Sequence, residues 1–201
     1  MPLRHTFFVK LLLLALVLVT SASSNGLQRY TYRAHQMTIE GRSNWQAWRL
    51  EVKEIGIQAD LSINNKGFIS LVGPVVLMAK AAHISAPRPS LMDRNVGPVL
   101  KADKHPYITF NLTQIDTRDL QHGVTLLKTK GLLSMAGVGK EIEMEVFARV
   151  LPNADVEIWG MKDLDMRDFD ISPPTAFFGI IRSEGRVKIN FDIILRAVPR
   201  Q

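Results

Sequence analysis

The chain of 201 residues contains no cysteine, and that absence excludes several explanations at once. No disulfide can staple the fold, no thiolate can act as nucleophile, and no cysteine-based metal centre can form. The acylated cysteine that tethers bacterial lipoproteins is also missing. Histidine is sparse, and His35, His83, His105 and His122 are widely separated. None of them has the i,i+2 or i,i+4 neighbour that favours a metal, so all four read as surface or hydrogen-bonded side chains. There is no G-x-S-x-G elbow, phosphate-cradling glycine loop or dinucleotide fingerprint. Basic residues are not interleaved with aromatics, so the net charge of +6 does not argue for nucleic acid. No cofactor is expected.

Long apolar runs are missing with one exception. LLLLALVLVT occupies residues 11–20 and is too short to span a bilayer comfortably. Arg4 and Lys10 precede it without an acid, and the small residues of SASSNG follow it. This order predicts a secretory signal peptide over residues 1–24, cleaved near Ala22 to Ser24, in preference to a retained anchor. Losing Arg4 and Lys10, and no acid, takes the net charge from +6 to +4. Residues 25–201 are expected to form a single domain, periplasmic or secreted, soluble and held together by packing alone.

What is present is a strong period of two. In RVKINFDIILRAV, Val187, Ile189, Phe191, Ile193 and Leu195 share one face, and Lys188, Asn190, Asp192 and Arg196 the other. EIEMEVFARV sets Ile142, Met144, Val146 and Ala148 against Glu141, Glu143, Glu145 and Arg149. Three successive glutamates on one face repel in any packed interior, so that face is wet. YITFNL contributes Ile108, Phe110 and Leu112, and shorter candidate strands are bounded by Gly, Asn or Pro turns. INNKGF reads as a hairpin turn. About eight antiparallel strands predict an all-β sandwich or a closed barrel. Residues 81–104, with Pro87, Pro89 and Pro98, break the pattern and are expected to be a crossover with one or two helical turns. Ser90 or Asp93 is placed to cap them.

GVGK at residues 137–140 lacks a hydroxyl after the lysine and reads as a hairpin turn. Asp163, Asp165, Asp168 and Asp170 do not match a calcium loop, and they read as a solvated strand face and turn. Asn111-Leu112-Thr113 matches a glycosylation sequon but falls in a strand. Trp45 and Trp48, if on one strand, face opposite sides. Met135, Met144 and Met166 join Phe110, Phe169, Phe177 and Phe178 as interior groups, serving either as core or as the lining of a site for irregular apolar shapes. Pro173 and Pro174 keep PPTAFFG out of the sheet as a central strand. Phe177 and Phe178 are therefore read as folding over one end of it.

Four segments in order resemble the YceI-like family of exported bacterial proteins. IEGRSNWQAW is similar to a strand start in which Gly41, Ser43, Asn44 and Trp48 recur. SLMDRNVGPVLKADKHPYITFNL resembles the crossover, GLLSMAGVGKEIEMEV a hairpin, and MRDFDISPPTAFFGIIRSEGRVKINFDI the last crossover and strand. Many relatives carry His-Asp where this chain has Gln46 and Ala47. The resemblance implies a lipocalin-like, eight-stranded antiparallel barrel that holds a polyisoprenoid or similar long lipid without catalysis, for transport or storage. It makes Met92, Leu100, Phe110, Met135, Met144, Phe169, Phe177 and Phe178 the expected apolar lining. Lys101 or Arg167 would meet a head group at the mouth, and membrane contact would be transient. The alternative is a ligand-free envelope protein with a filled barrel.

Overall fold

The computed structural model describes residues 26–88, 93–176 and 179–199. The expected signal peptide, and Ser90, Leu91, Met92, Phe177 and Phe178, lie outside the described residues. Strand β1 (Gln28–Ser43) is followed by β2 (Ala47–Val52), β3 (Ile55–Ile63) and β4 (Ile69–Lys80). After a 3-10 turn at Ala81–His83 come β5 (Ile84–Ser85) and helix α1 (Asp93–Val99). The remaining strands are β6 (Tyr107–Asp119), β7 (Val124–Met135), β8 (Val138–Val150), β9 (Val156–Asp165), β10 (Thr175–Ala176) and β11 (Ile181–Ala197).

All neighbours are antiparallel, and β11 pairs back onto β1 from Tyr30↔Ala197 to Ser43↔Ser183, which closes the sheet. β2 and β3 are two halves of one wall strand. Both pair with β1 in the same register, Thr38↔Glu51 in one half and Gln28↔Leu61 in the other. The break falls at Lys53 and Glu54, where His35 Nε2 takes up the Val52 carbonyl at 2.8 Å. Counted this way the wall is a closed eight-stranded antiparallel barrel. Closure removes the exposed edges that an open sheet of this size would leave.

The alternating pattern sets the interior. Ile193, Leu195, Val146 and Ala148 are buried, whereas Glu141, Glu143 and Glu145 are exposed. Three turns, at Asn64–Gly67, Gln121–Gly123 and Leu151–Asp155, close one end of the barrel. Ile69, Thr125, Val156 and Leu195 lie fully buried. There the Thr125 hydroxyl accepts from the Ile69 amide at 3.1 Å. Arg33 pairs with the buried Asp155 carboxylate, fixing the β8–β9 turn to β1. The opposite end carries the Ser43–Gln46 turn, the crossover with α1, the β7–β8 hairpin and the segment after β9.

Two sequence expectations need correction. The β7–β8 turn is Ala136-Gly137, with φ of 50° and 88°, and not Gly137–Lys140. Val138 to Lys140 are already strand, because a two-residue turn with both φ positive matches the twist of the hairpin. Trp45 is not on a strand at all. It sits in the β1–β2 turn, so the two tryptophans do not take opposite sides of one strand. The INNKGF turn forms as read, with Gly67 at φ 81° and Asn64 Oδ1 accepting from Lys66 and Phe68 amides.

Candidate functional site

The barrel encloses a cavity of about 580 Å³ that opens toward the end carrying α1. That volume lies within the range of small-molecule sites and far above the water-sized voids of an ordinary close-packed core. Its walls are Met37, Ile39, Leu50, Leu77, Ile115 and Phe191, among other apolar side chains from every long strand. Of the polar groups on the wall, Thr129 is satisfied internally by donating to the Met144 carbonyl at 2.9 Å. Ser43, Gln46, Asn95, Asp165, Thr175 and Ser183 also line the space, all on segments at the open end. The site is therefore dry in depth and polar at its mouth.

Glycines shape the wall by letting aromatic rings lie flat. A Cβ on Gly131 would stand 2.4 Å from Phe110 Cζ, and one on Gly160 would stand 2.8 Å from Phe191 Cζ. Gly41 does the same for Trp48, whose indole would be only 2.2 Å from such a Cβ. Trp48 Nε1 is buried without a hydrogen-bond partner among the described residues.

Leu100, Phe110, Met135, Met144 and Phe169 are brought together around this one cavity. Phe169, 1% exposed, sits with Ile171 against Phe110, Leu133 and Met135, forming a second apolar cluster toward the open end. It is held there by a 3-10 turn, Met166–Phe169, in which the Asp165 carboxylate accepts from the Arg167 amide at 3.0 Å. Met92, Phe177 and Phe178 lie outside the described residues. The proline reading is met with one addition. Thr175 and Ala176 form a two-residue strand on β11, outside the closed wall.

The two cations expected at the mouth lie on segments at the open end, but neither lines the cavity. Arg167 turns to Asp165, with Nε at 2.8 Å and Nη2 at 2.5 Å from its oxygens. This pairing, with the Arg167 amide, holds the Asp165 carboxyl down at about 2. Lys101 follows α1 at φ 52° and does not line the cavity. Among the described residues, the basic side chain that does is Lys162. The β8–β9 ladder ends at Val146↔Gly160, and beyond it Lys162 Nζ crosses the seam to the Glu143 carbonyl at 2.6 Å. The sequence held a signal for it: Val156, Ile158, Gly160, Lys162 and Leu164 alternate on one phase of β9. Gln46 lines the mouth, while Ala47 is exposed. No group of three His, Asp or Glu able to hold a metal occurs among the described residues.

A closed antiparallel barrel around an apolar cavity defines a lipocalin-like binding fold. The family model for the YceI-like domain matches residues 75–194, and the chain belongs to that family. Three solved structures are similar. BcnA of Burkholderia cenocepacia shares 13% identity at a TM-score of 0.63, covering 80% of this chain and 95% of its own. A polyisoprenoid-binding domain from Saccharophagus degradans, implicated in plant cell wall breakdown, shares 11% at 0.61, covering 86% and 99%. The YceI protein of Campylobacter jejuni shares 14% at 0.55, covering 75% and 85%. At these identities the likeness establishes the fold. No curated protein matches the sequence.

Proposed function

We propose that this protein is an exported carrier that encloses one long apolar molecule, an isoprenoid or a fatty-acyl chain, without acting on it chemically. The observation that carries the reading is the cavity of about 580 Å³ with its apolar wall. Each CH₂ transferred into such a space gains about 0.8 kcal/mol, so a long tail binds with few polar contacts. The polyisoprenoid-binding description of the Saccharophagus degradans domain supports the ligand class. Arg4, Lys10, the apolar run at residues 11–20 and SASSNG support export to the periplasm or beyond by a cleaved signal peptide. Transport or storage follows from enclosure, because a guest inside the wall is shielded from water along its length.

The test is native mass spectrometry of protein purified without detergent, followed by organic extraction and lipid analysis. A bound mass that extracts as a lipid is the expected result. If nothing is carried, and added isoprenoids and fatty acids also fail to bind, the carrier reading falls. The protein is then a ligand-free component of the envelope.

A further inference from the structure

Trp45 and Ile180 are the two most exposed large apolar side chains among the described residues, at 77% and 72%. Isolated exposed apolar groups need no explanation, but these two are presented together by a built support. The Asn44 amide donates to the Arg182 carbonyl at 3.1 Å, and Asn44 Nδ2 donates to the Ile180 carbonyl at 2.9 Å. The Arg182 amide returns a bond to Asn44 Oδ1 at 2.9 Å. The Ser43 hydroxyl accepts from the Gln46 amide at 3.0 Å and tightens the turn beneath Trp45. One asparagine thus ties the β1–β2 turn to the start of β11 and holds both side chains outward on one rim.

That rim is continuous with the cavity mouth, since Ser43, Trp45, Gln46, Ile181 and Ser183 all line the opening. Arg42 and Arg182 flank it with no carboxylate ion pair among the described residues: Glu40, two positions from Arg42, turns to Arg49 at 3.7 Å, and Arg182 Nε donates to the Gly179 carbonyl at 2.8 Å, which leaves its other guanidinium nitrogens for an anion. The geometry points to this rim as the docking edge for a lipid bilayer with anionic head groups. Trp45 and Ile180 enter the interfacial layer, and Arg42 and Arg182 meet lipid phosphates. An indole is suited to that depth, with an apolar body and a polar N–H. A second copy of the chain fits less well, because a stable contact covers about 800 Å² per partner and two side chains on one rim offer far less. Docking by this edge sets the mouth against the bilayer, so that an apolar guest crosses without passing through water.

This inference rests on the carrier reading, and its experiment separates the two. The full chain is mixed with phosphatidylcholine vesicles bearing brominated acyl chains, with and without phosphatidylglycerol, and tryptophan emission is followed. The residue-specific readout is needed because the apolar run at residues 11–20 could hold vesicles whichever way the barrel faced. Emission is expected to be quenched, more so with the anionic lipid, and the quenched component is expected to vanish in Trp45→Ser while Trp48 and Trp159 still emit. In a second arm, Ile180→Ser slows uptake of a fluorescent fatty acid from vesicles roughly tenfold, the factor carried by partial burial of one large apolar side chain. Its affinity for the free probe stays unchanged, since Ile180 does not line the cavity. Unquenched Trp45 overturns the proposal, as does undiminished uptake by Ile180→Ser. A dimer that Ile180→Ser converts to monomer would also overturn it, by assigning the rim to a second copy. A barrel that binds no probe defeats the carrier reading, while the quenching arm still reports docking.

Discussion

Gly131 illustrates how a single position controls the cavity wall. Its Cα faces inward on β7, and Phe110 from the neighbouring strand lies over it. An added Cβ would meet the ring at 2.4 Å and the Asn111 carbonyl oxygen at 2.7 Å. The ring can swing into the cavity, but the backbone oxygen cannot move without straining the ladder. Gly131→Ala is therefore expected to destabilise by about 1–3 kcal/mol and to weaken apolar ligand binding, read by urea unfolding and ligand titration. Lys162 is the other residue whose position decides chemistry. Lys162→Met leaves a fold whose Glu143 carbonyl takes water instead. It is expected to lower affinity for a fatty acid roughly tenfold, the size of a lost charge-assisted hydrogen bond, while binding of the alcohol of equal length is unchanged. Equal loss for acid and alcohol would show that Lys162 acts only as a prop across the seam.

At the scale of elements, the segment after β9 is anchored by buried Phe169 and Ile171 and opens with an exposed ion pair. The Arg167 guanidinium, and then its backbone amide, holds Asp165 at about 2, below its ordinary 3.8. A carboxyl whose folded value lies below its unfolded value adds stability above about pH 4 and loses it as pH falls toward 2. Asp60, lowered mainly by its hydrogen bond with Arg29, acts in the same direction. Asp192 acts in the opposite one, because burial raises it. The unfolding midpoint in urea is thus expected to drop between pH 5 and pH 2.5, and to drop less in Asp165→Asn. An unchanged slope in that variant would show that the pair carries no linkage. Both carboxylate pairs include an exposed arginine, so the effect is modest.

For the whole molecule, the decisive question is whether the interior space is used. Met144→Trp adds bulk to a wall residue facing about 580 Å³ of cavity. The expected outcome is a protein that unfolds at a midpoint close to the parent's, because the ring has somewhere to go. Bound lipid, measured by extraction, falls well below the parent's. A variant that binds as much lipid as before would place the ligand elsewhere. One that fails to fold would mean the interior is packed like an ordinary core.

The wall was legible because a strand's side chains alternate with period two and one face of this barrel is wet. Glu141, Glu143 and Glu145 could only be outside, which put Ile142, Met144 and Val146 inside before any pairing was known. The INNKGF turn and the proline-bound segment after Ile171 were legible for the same local reason, that backbone dihedrals follow from residue type. Period two, however, is shared by sandwiches and barrels, so only the β1–β11 pairing decided closure. Trp45 needed the turn geometry to be placed, since a one-residue change in where β1 ends reverses its side. Nor do local preferences report where a long side chain goes. Arg167 bends back to Asp165, two positions away in sequence. Lys162 spans a gap between strands that exists only because β8 and β9 separate beyond Gly160. The sequence by itself determined which residues face inward. The tertiary structure decided whether those residues meet one another or leave a space between them, because that depends on strand number, tilt and closure, which no local pattern encodes.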